Sequence, residues 1–235
     1  MNSTEKPYIF SEGKLEISVF PAQKPESPVI YMHGMDGFAK DVLPLLDQQV
    51  QNAGLPDFSL VTITVPYDEW SNILAPWNTP AGWPQYVACT GGAPEYLRIF
   101  TEKIIPEAEK HIEKPGPKMI AGYSLGGLFA LWAEAKTGLF ARLACPSGSL
   151  WFPNFISWFM KQNLPALPEC IYFSSSEEEY NSENEYLKEE KPAIQALINW
   201  CHENQIRTDL VIDPGNHYED VVKRSAAAIA WMLRN

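Results

Sequence analysis

The sequence predicts a doubly wound, mostly parallel α/β sheet of about eight strands with helices on both faces, and three observations carry that expectation. Short runs that are almost wholly apolar, such as residues 28–32 (PVIYM) and 58–65, recur along the chain, as strands covered on both faces require. Segments of helical period separate them, and every connection is of ordinary length except residues 66–93. An apolar strand also runs through Gly-x-Ser-x-Gly into an apolar helix at residues 120–130.

Taken in order, residues 14–20 (KLEISVF) alternate apolar and polar positions as a half-buried antiparallel edge strand does, and residues 8–10 are its hairpin partner. Residues 28–32 begin the parallel part. Residues 41–53 carry helical spacing through Val42, Leu45, Leu46 and Val50, with Pro44 expected in the first turn, and stop at Gly54-Leu55-Pro56. The strand at 58–65 follows. Residues 66–93 hold four prolines, Trp70, Trp77, Trp83 and the pair Gly91-Gly92 without a clean period, so they read as a long loop or small cap forming part of a site wall. Pro94 opens a helix to His111, with Pro106 as an expected kink. After Pro115-Gly116-Pro117 come a strand at 118–123, an apolar helix at 125–136 and a strand at 139–145. An aromatic-rich helix at 154–162, a strand at 170–174, an acidic loop at 177–190 and a helix at 192–204 lead to the strand at 207–212 and a final amphipathic helix at 218–233. One domain over residues 1–235 accommodates all of this, and no internal repeat divides it.

The stretch around Ser124 asks for chemistry. A serine on a tight strand-to-helix turn has its hydroxyl pushed out of the sheet, and the helix N-terminus at Leu125 aims free N–H groups at the same point. Gly122 and Gly126 are expected to be required because a side chain at either would collide with strand or helix. A nucleophilic serine needs a base, an acid to orient that base, and donors for an oxyanion. His202 and His217 are the histidines that follow Ser124. His202 falls inside a predicted helix, whereas His217 lies just past the carboxyl end of the last strand, where catalytic groups collect in open α/β sheets. The acid should follow the strand ending near Ser174, where Glu177, Glu178 and Glu179 stand together and sequence chemistry does not choose among them. His33-Gly34-Met35 leaves the first parallel strand, so the N–H of Met35 can pair with that of Leu125 as the oxyanion donors, with His33 positional.

Composition bounds the partners. A net charge of −11 and a pI near 4.8, with Lys and Arg scattered, argue against nucleic acid or an anionic membrane surface and favour neutral or cationic small molecules. The N-terminal residues show no apolar signal region and no run long enough to span a bilayer, so a soluble, cytoplasmic protein is expected. Cys89, Cys145, Cys170 and Cys201 lie far apart, which predicts free buried thiols and, with four dispersed histidines, no metal site and no cofactor.

The chain resembles the esterase branch of the α/β-hydrolase-fold proteins, the enterochelin-esterase-like and esterase D-like group, over nearly its whole length. The match lies in YMHGMDG (31–37), GGAPEYLRIFTEKIIPEAE (91–109), IAGYSLGGLFALWA (120–133), SGSLWF (147–152), YFSSSEEE (172–179) and PGNHYEDVVKR (214–224). The resemblance implies an α/β-hydrolase fold, a small-molecule ester substrate, Ser124 as nucleophile and His217 as base. Members often read Y-F-S-x-G-D-x-E at the acid loop, which selects Glu179; the glycine of that pattern is Ser176 here. Trp151 matches a position near the family's site mouth, and with Trp77 and Trp83 it is expected to line an aromatic acyl or aryl pocket. Ester hydrolysis through an acyl-enzyme is therefore the leading expectation. A thioesterase or amidase using the same groups, or a non-catalytic binding protein on the same fold, is the alternative.

Overall fold

The computed structural model describes residues 6–35, 37–81 and 88–235, and its framework is one eight-stranded sheet in the order β1-β2-β4-β3-β5-β6-β7-β8. Strand β1 (Tyr8–Glu12) turns at Gly13, where φ is +60°, into β2 (Leu15–Phe20), and the two pair antiparallel. Strand β4 (Ser59–Thr64) pairs antiparallel with β2 and parallel with β3 (Val29–Gly34). From there β5 (Lys118–Gly122), β6 (Arg142–Pro146), β7 (Cys170–Ser176) and β8 (Arg207–Asp213) add in parallel, leaving β8 as an edge.

Side chains alternate across the parallel strands, and each face finds its own helices. Val29, Tyr31 and Ile120 join a core with Phe100, Leu128 and Phe129, under α3 (Ala93–Ile99), α4 (Ile105–Glu109) and α5 (Leu125–Thr137). Ile30, Met32, Met119 and Ala121 face the other way, onto Val42 and Leu46 of α1 (Phe38–Ala53) and Ile229 and Met232 of α9 (Val221–Arg234). Helix α5 is buried from Leu125 through Ala135, which explains why its sequence shows no polar face.

Several boundaries differ from the sequence reading for local reasons. Helix α1 starts at Phe38, so Pro44 lies inside it rather than in its first turn and removes one backbone hydrogen bond there. A seven-residue helix, α2 (Tyr67–Ile73), stands in the segment expected to be loop; two turns are too few to show a period. Its Trp70 is buried against the core. Between α3 and α4 the chain widens into a π turn, Phe100–Ile104, just ahead of Pro106, which has no N–H to continue a regular ladder. A short helix, α6 (Phe155–Phe159), a helical turn, α7 (Glu177–Tyr180), and α8 (Glu190–Glu203) complete the elements used below.

Candidate active site

Ser124 joins β5 to α5 with φ 58° and ψ −125°, a conformation that costs a non-glycine residue on the order of 1–3 kcal/mol and persists because both flanking elements are buried. The close approach behind it explains Gly122: a Cβ there would lie 2.3 Å from the carbonyl carbon of Gly126. Gly126 itself corrects the sequence reading. A Cβ at Gly126 would meet nothing nearer than the Trp70 ring at 3.6 Å, an ordinary contact. The second tight glycine is Gly127, whose Cβ would fall 2.8 Å from both Cys145 Sγ and the Gly122 carbonyl.

His217 follows β8, and its Nε2 lies 3.1 Å from Ser124 Oγ. Its Nδ1 is hydrogen-bonded to Glu179 Oε1. Glu179 belongs to α7, directly after β7, so the three side chains converge on the carboxyl edge of the sheet from β5, β7 and β8. His202, in α8, faces solvent, as do Glu177 and Glu178. The second oxygen of Glu179 accepts from the Ser176 N–H at 3.1 Å and from its hydroxyl at 2.8 Å, while the Glu179 N–H donates back to Ser176 Oγ at 3.2 Å. This is a reciprocal capping box. Ser176 sits in the extended region at φ −84°, so no glycine is needed and the replaced position gains a clamp on the carboxylate. Burial pushes the Glu179 carboxyl up, but the hydrogen bond and charge of His217 and the two bonds from Ser176 outweigh it and hold the group below the usual glutamate range.

Met35 and Leu125 lie at the ends of β3 and at the start of α5, on neighbouring strands of the sheet. Neither N–H donates to an acceptor among the described residues. His33 lies fully buried beneath them, its Nε2 2.7 Å from Tyr96 Oη and its ring edge-on to Phe100 and Phe129. Burial lowers its imidazole to about 3 and so favours the neutral ring, in keeping with a positional role.

Sequence reasoning passed over Ser149. Its buried hydroxyl lies 3.2 Å from Ser124 Oγ, and its N–H donates to the Ser124 carbonyl. The stretch SGSLWF was visible, but nothing in it says which serine reaches back. The loop is anchored by the buried Glu190, whose carboxyl group accepts from the Trp151 N–H at 3.0 Å. Trp151 is half-buried on this loop, two residues past Ser149. Trp77 donates its indole N–H to the Pro153 carbonyl and packs on Phe152, Phe155 and Trp158. It lines a surface depression with Pro94, Trp132, Lys136 and Trp158, toward the far end of α5 from Ser124. Trp83 lies outside the described residues.

The sequence matches, over residues 12–234, the family described as "Putative esterase". The chain belongs to that esterase family. It is accordingly a hydrolase acting on ester bonds. Solved structures share the fold. The esterase is similar to the siderophore hydrolase EstA from Aspergillus nidulans, with 17% identity and a TM-score of 0.71 over 97% of this chain and 93% of that one. It is also similar to the BES protein from Bacillus cereus, with 20% identity and a TM-score of 0.73 over 99% and 95%. A third likeness, to the enterobactin esterase FES from Shigella flexneri, has 17% identity and a TM-score of 0.70, and covers 97% of the esterase but 58% of FES. No curated protein matches the sequence. Among the described residues no helix is long and apolar enough to cross a membrane, and no group of His, Cys, Asp and Glu could hold a metal ion.

Proposed function

We propose that this esterase is a serine carboxylic-ester hydrolase that works through an acyl-enzyme. Ser124 Oγ attacks the ester carbonyl carbon while His217 Nε2 takes its proton. The N–H groups of Met35 and Leu125 receive the oxyanion, helped by the positive end of α5. Collapse of the tetrahedral intermediate expels the alcohol, which collects the proton from His217; water then repeats the sequence and frees the acid and Ser124. Glu179 accepts from Nδ1–H, which leaves Nε2 free as the base and steadies the imidazolium as it forms. The observation that carries this reading is the unbroken hydrogen-bond series Ser124–His217–Glu179, with Ser124 held at positive φ. That intact series also weighs against a non-catalytic binding role.

The chemistry needs no cofactor, and we read the chain as one domain with the insert at residues 66–93, of which 82–87 lie outside the described residues, as part of the site wall. Relatives named for siderophores lend the ester chemistry and not the ligand, because a chain of net charge −11 with scattered Lys and Arg offers no basic cluster for a large anion. A small neutral or cationic ester fits better, with Trp151, two residues past Ser149, as an aromatic wall of its pocket; Trp77 lies toward the far end of α5, and Trp83 lies outside the described residues. The buried free thiols of Cys145, Cys170 and Cys201 support a cytoplasmic setting.

The test is direct. A fluorophosphonate probe should label native protein, and p-nitrophenyl esters of graded chain length should be turned over in preference to the matched thioesters and anilides. Ser124→Ala should lose both, turnover falling by a factor on the order of 10⁶ with an unchanged circular dichroism spectrum. A folded Ser124→Ala protein that still turns over simple esters refutes the assignment.

A further inference from the structure

His217 presents a problem of placement. It lies on an exposed turn beyond β8, an edge strand with one neighbour, and turns of this kind are mobile unless they are tied down. A base has to stay within about 0.5 Å of its working position.

Arg224, on the first turns of α9, is only 4% exposed, yet it carries a full charge. One of its terminal nitrogens donates to the Pro214 carbonyl at 2.9 Å. The other donates to the Asn216 carbonyl at 3.1 Å and to Tyr123 Oη at 3.1 Å, with Ser147 Oγ 3.5 Å away. Asp213 Oδ2 lies 3.5 Å from its Nε. Tyr123 passes the contact on: its hydroxyl accepts from Arg224 and donates to the carbonyl of His217 itself at 2.7 Å. Its ring also lies against the imidazole, with centroids 5.3 Å apart. One guanidinium therefore ties three segments together: the strand end carrying Ser124, the loop start at Ser147, and the backbone just ahead of His217. Burying a charge this completely is costly unless the bonds it makes are needed.

We propose that Arg224 and Tyr123 are positioning residues that hold the His217 imidazole in register with Ser124, through a buried hydrogen-bond chain ending on the His217 carbonyl. The proposal rests on the reading of His217 as the base. Neither residue hydrogen-bonds to the reacting atoms; the Tyr123 hydroxyl acts through the His217 backbone carbonyl. Tyr123 is placed for this because it adjoins the nucleophile in sequence, so the turn that fixes Ser124 also fixes the anchor for its base. A lysine cannot replace Arg224, since a single ammonium cannot reach the carbonyls of Pro214 and Asn216 and the Tyr123 hydroxyl with one planar fork.

Tyr123→Phe keeps the ring and removes only the hydroxyl. On the preferred ester it should lower kcat about tenfold with KM within about twofold, and the melting temperature should change little. The downfield proton resonance of the imidazole N–H shared with Glu179 should broaden or move in the same variant. Arg224→Lys should lower kcat further, and the double variant should be no worse than Arg224→Lys alone, as expected of links in one chain. Native kcat and a native resonance in Tyr123→Phe overturn the proposal, as does a lowered melting temperature with kcat intact at temperatures where the variant is folded. His217→Ala separates the two levels. If it is inactive while Tyr123→Phe is fully active, only the tether is wrong; if it is active, the base assignment falls and the tether with it.

Discussion

Glu177, Glu178 and Glu179 stand on one helical turn, yet only the third reaches inward: both its oxygens are bonded, to His217 on one side and Ser176 on the other. Its neighbours face water. Single Glu→Gln changes should therefore separate cleanly. On the proposed mechanism Glu179→Gln removes the acceptor for the imidazole Nδ1–H and should cost about 10⁴ in kcat, while Glu177→Gln and Glu178→Gln should cost less than about twofold. Ester turnover by the three purified variants decides it, and a crippled Glu177→Gln or Glu178→Gln with an active Glu179→Gln would move the acid. Because the Glu179 carboxyl is held below its ordinary range, the stability it contributes is present above the unfolded pKa and is lost as pH falls through the lower folded value.

Strand β5 and helix α5 approach each other closely where they cross. Gly122 packs on the backbone of Gly126, and Gly127 packs on Cys145 and on Gly122. The motif glycines are thus unequal. Gly126→Ala places its Cβ in ordinary contact with Trp70 and His33, within a helix where alanine is favoured over glycine by up to about 1 kcal/mol. It should melt at or above the native temperature. Gly122→Ala forces the helix off the strand, and overpacking of this kind costs about 1–3 kcal/mol. It should melt lower and lose turnover because Ser124 moves with the helix start. Equal melting temperatures for the two variants would contradict the packing.

Among the described residues most acidic side chains are solvated, and Glu134 is a buried exception. At 2% exposure it spends one oxygen on the Phe140 N–H, closing the turn after α5, while its other oxygen has no hydrogen-bond partner among the described residues. Burial raises its carboxyl from 4.5 to about 7. The native fold therefore holds a proton that the unfolded chain releases, so this contribution is complete below about pH 4.5 and is lost as pH rises through about 7. The shift corresponds to roughly 3 kcal/mol. Glu134→Gln, which keeps the acceptor and cannot ionise, should melt higher than native protein at pH 8 and nearly equally at pH 4.5. Parallel melting curves at both pH values would show that Glu134 does not titrate in this range.

The sequence by itself determined what is local or periodic. The alternation in residues 14–20, the apolar runs of the parallel strands and the Gly-x-Ser-x-Gly turn each state their structure within about ten residues, and His217 was separable from His202 by its place after a strand. Only the tertiary structure decided what depends on approach between distant segments. Which glycine is tight is a distance between strand and helix, and the pattern G-x-S-x-G treats Gly122 and Gly126 alike. Ser149 meets Ser124 across 25 residues, and Tyr123 meets the His217 carbonyl across 94. Ser176 departs from the family's glycine in sequence and closes a capping box in space, because an extended backbone and a short hydroxyl supply in three dimensions what the pattern of residue types had no means of expressing.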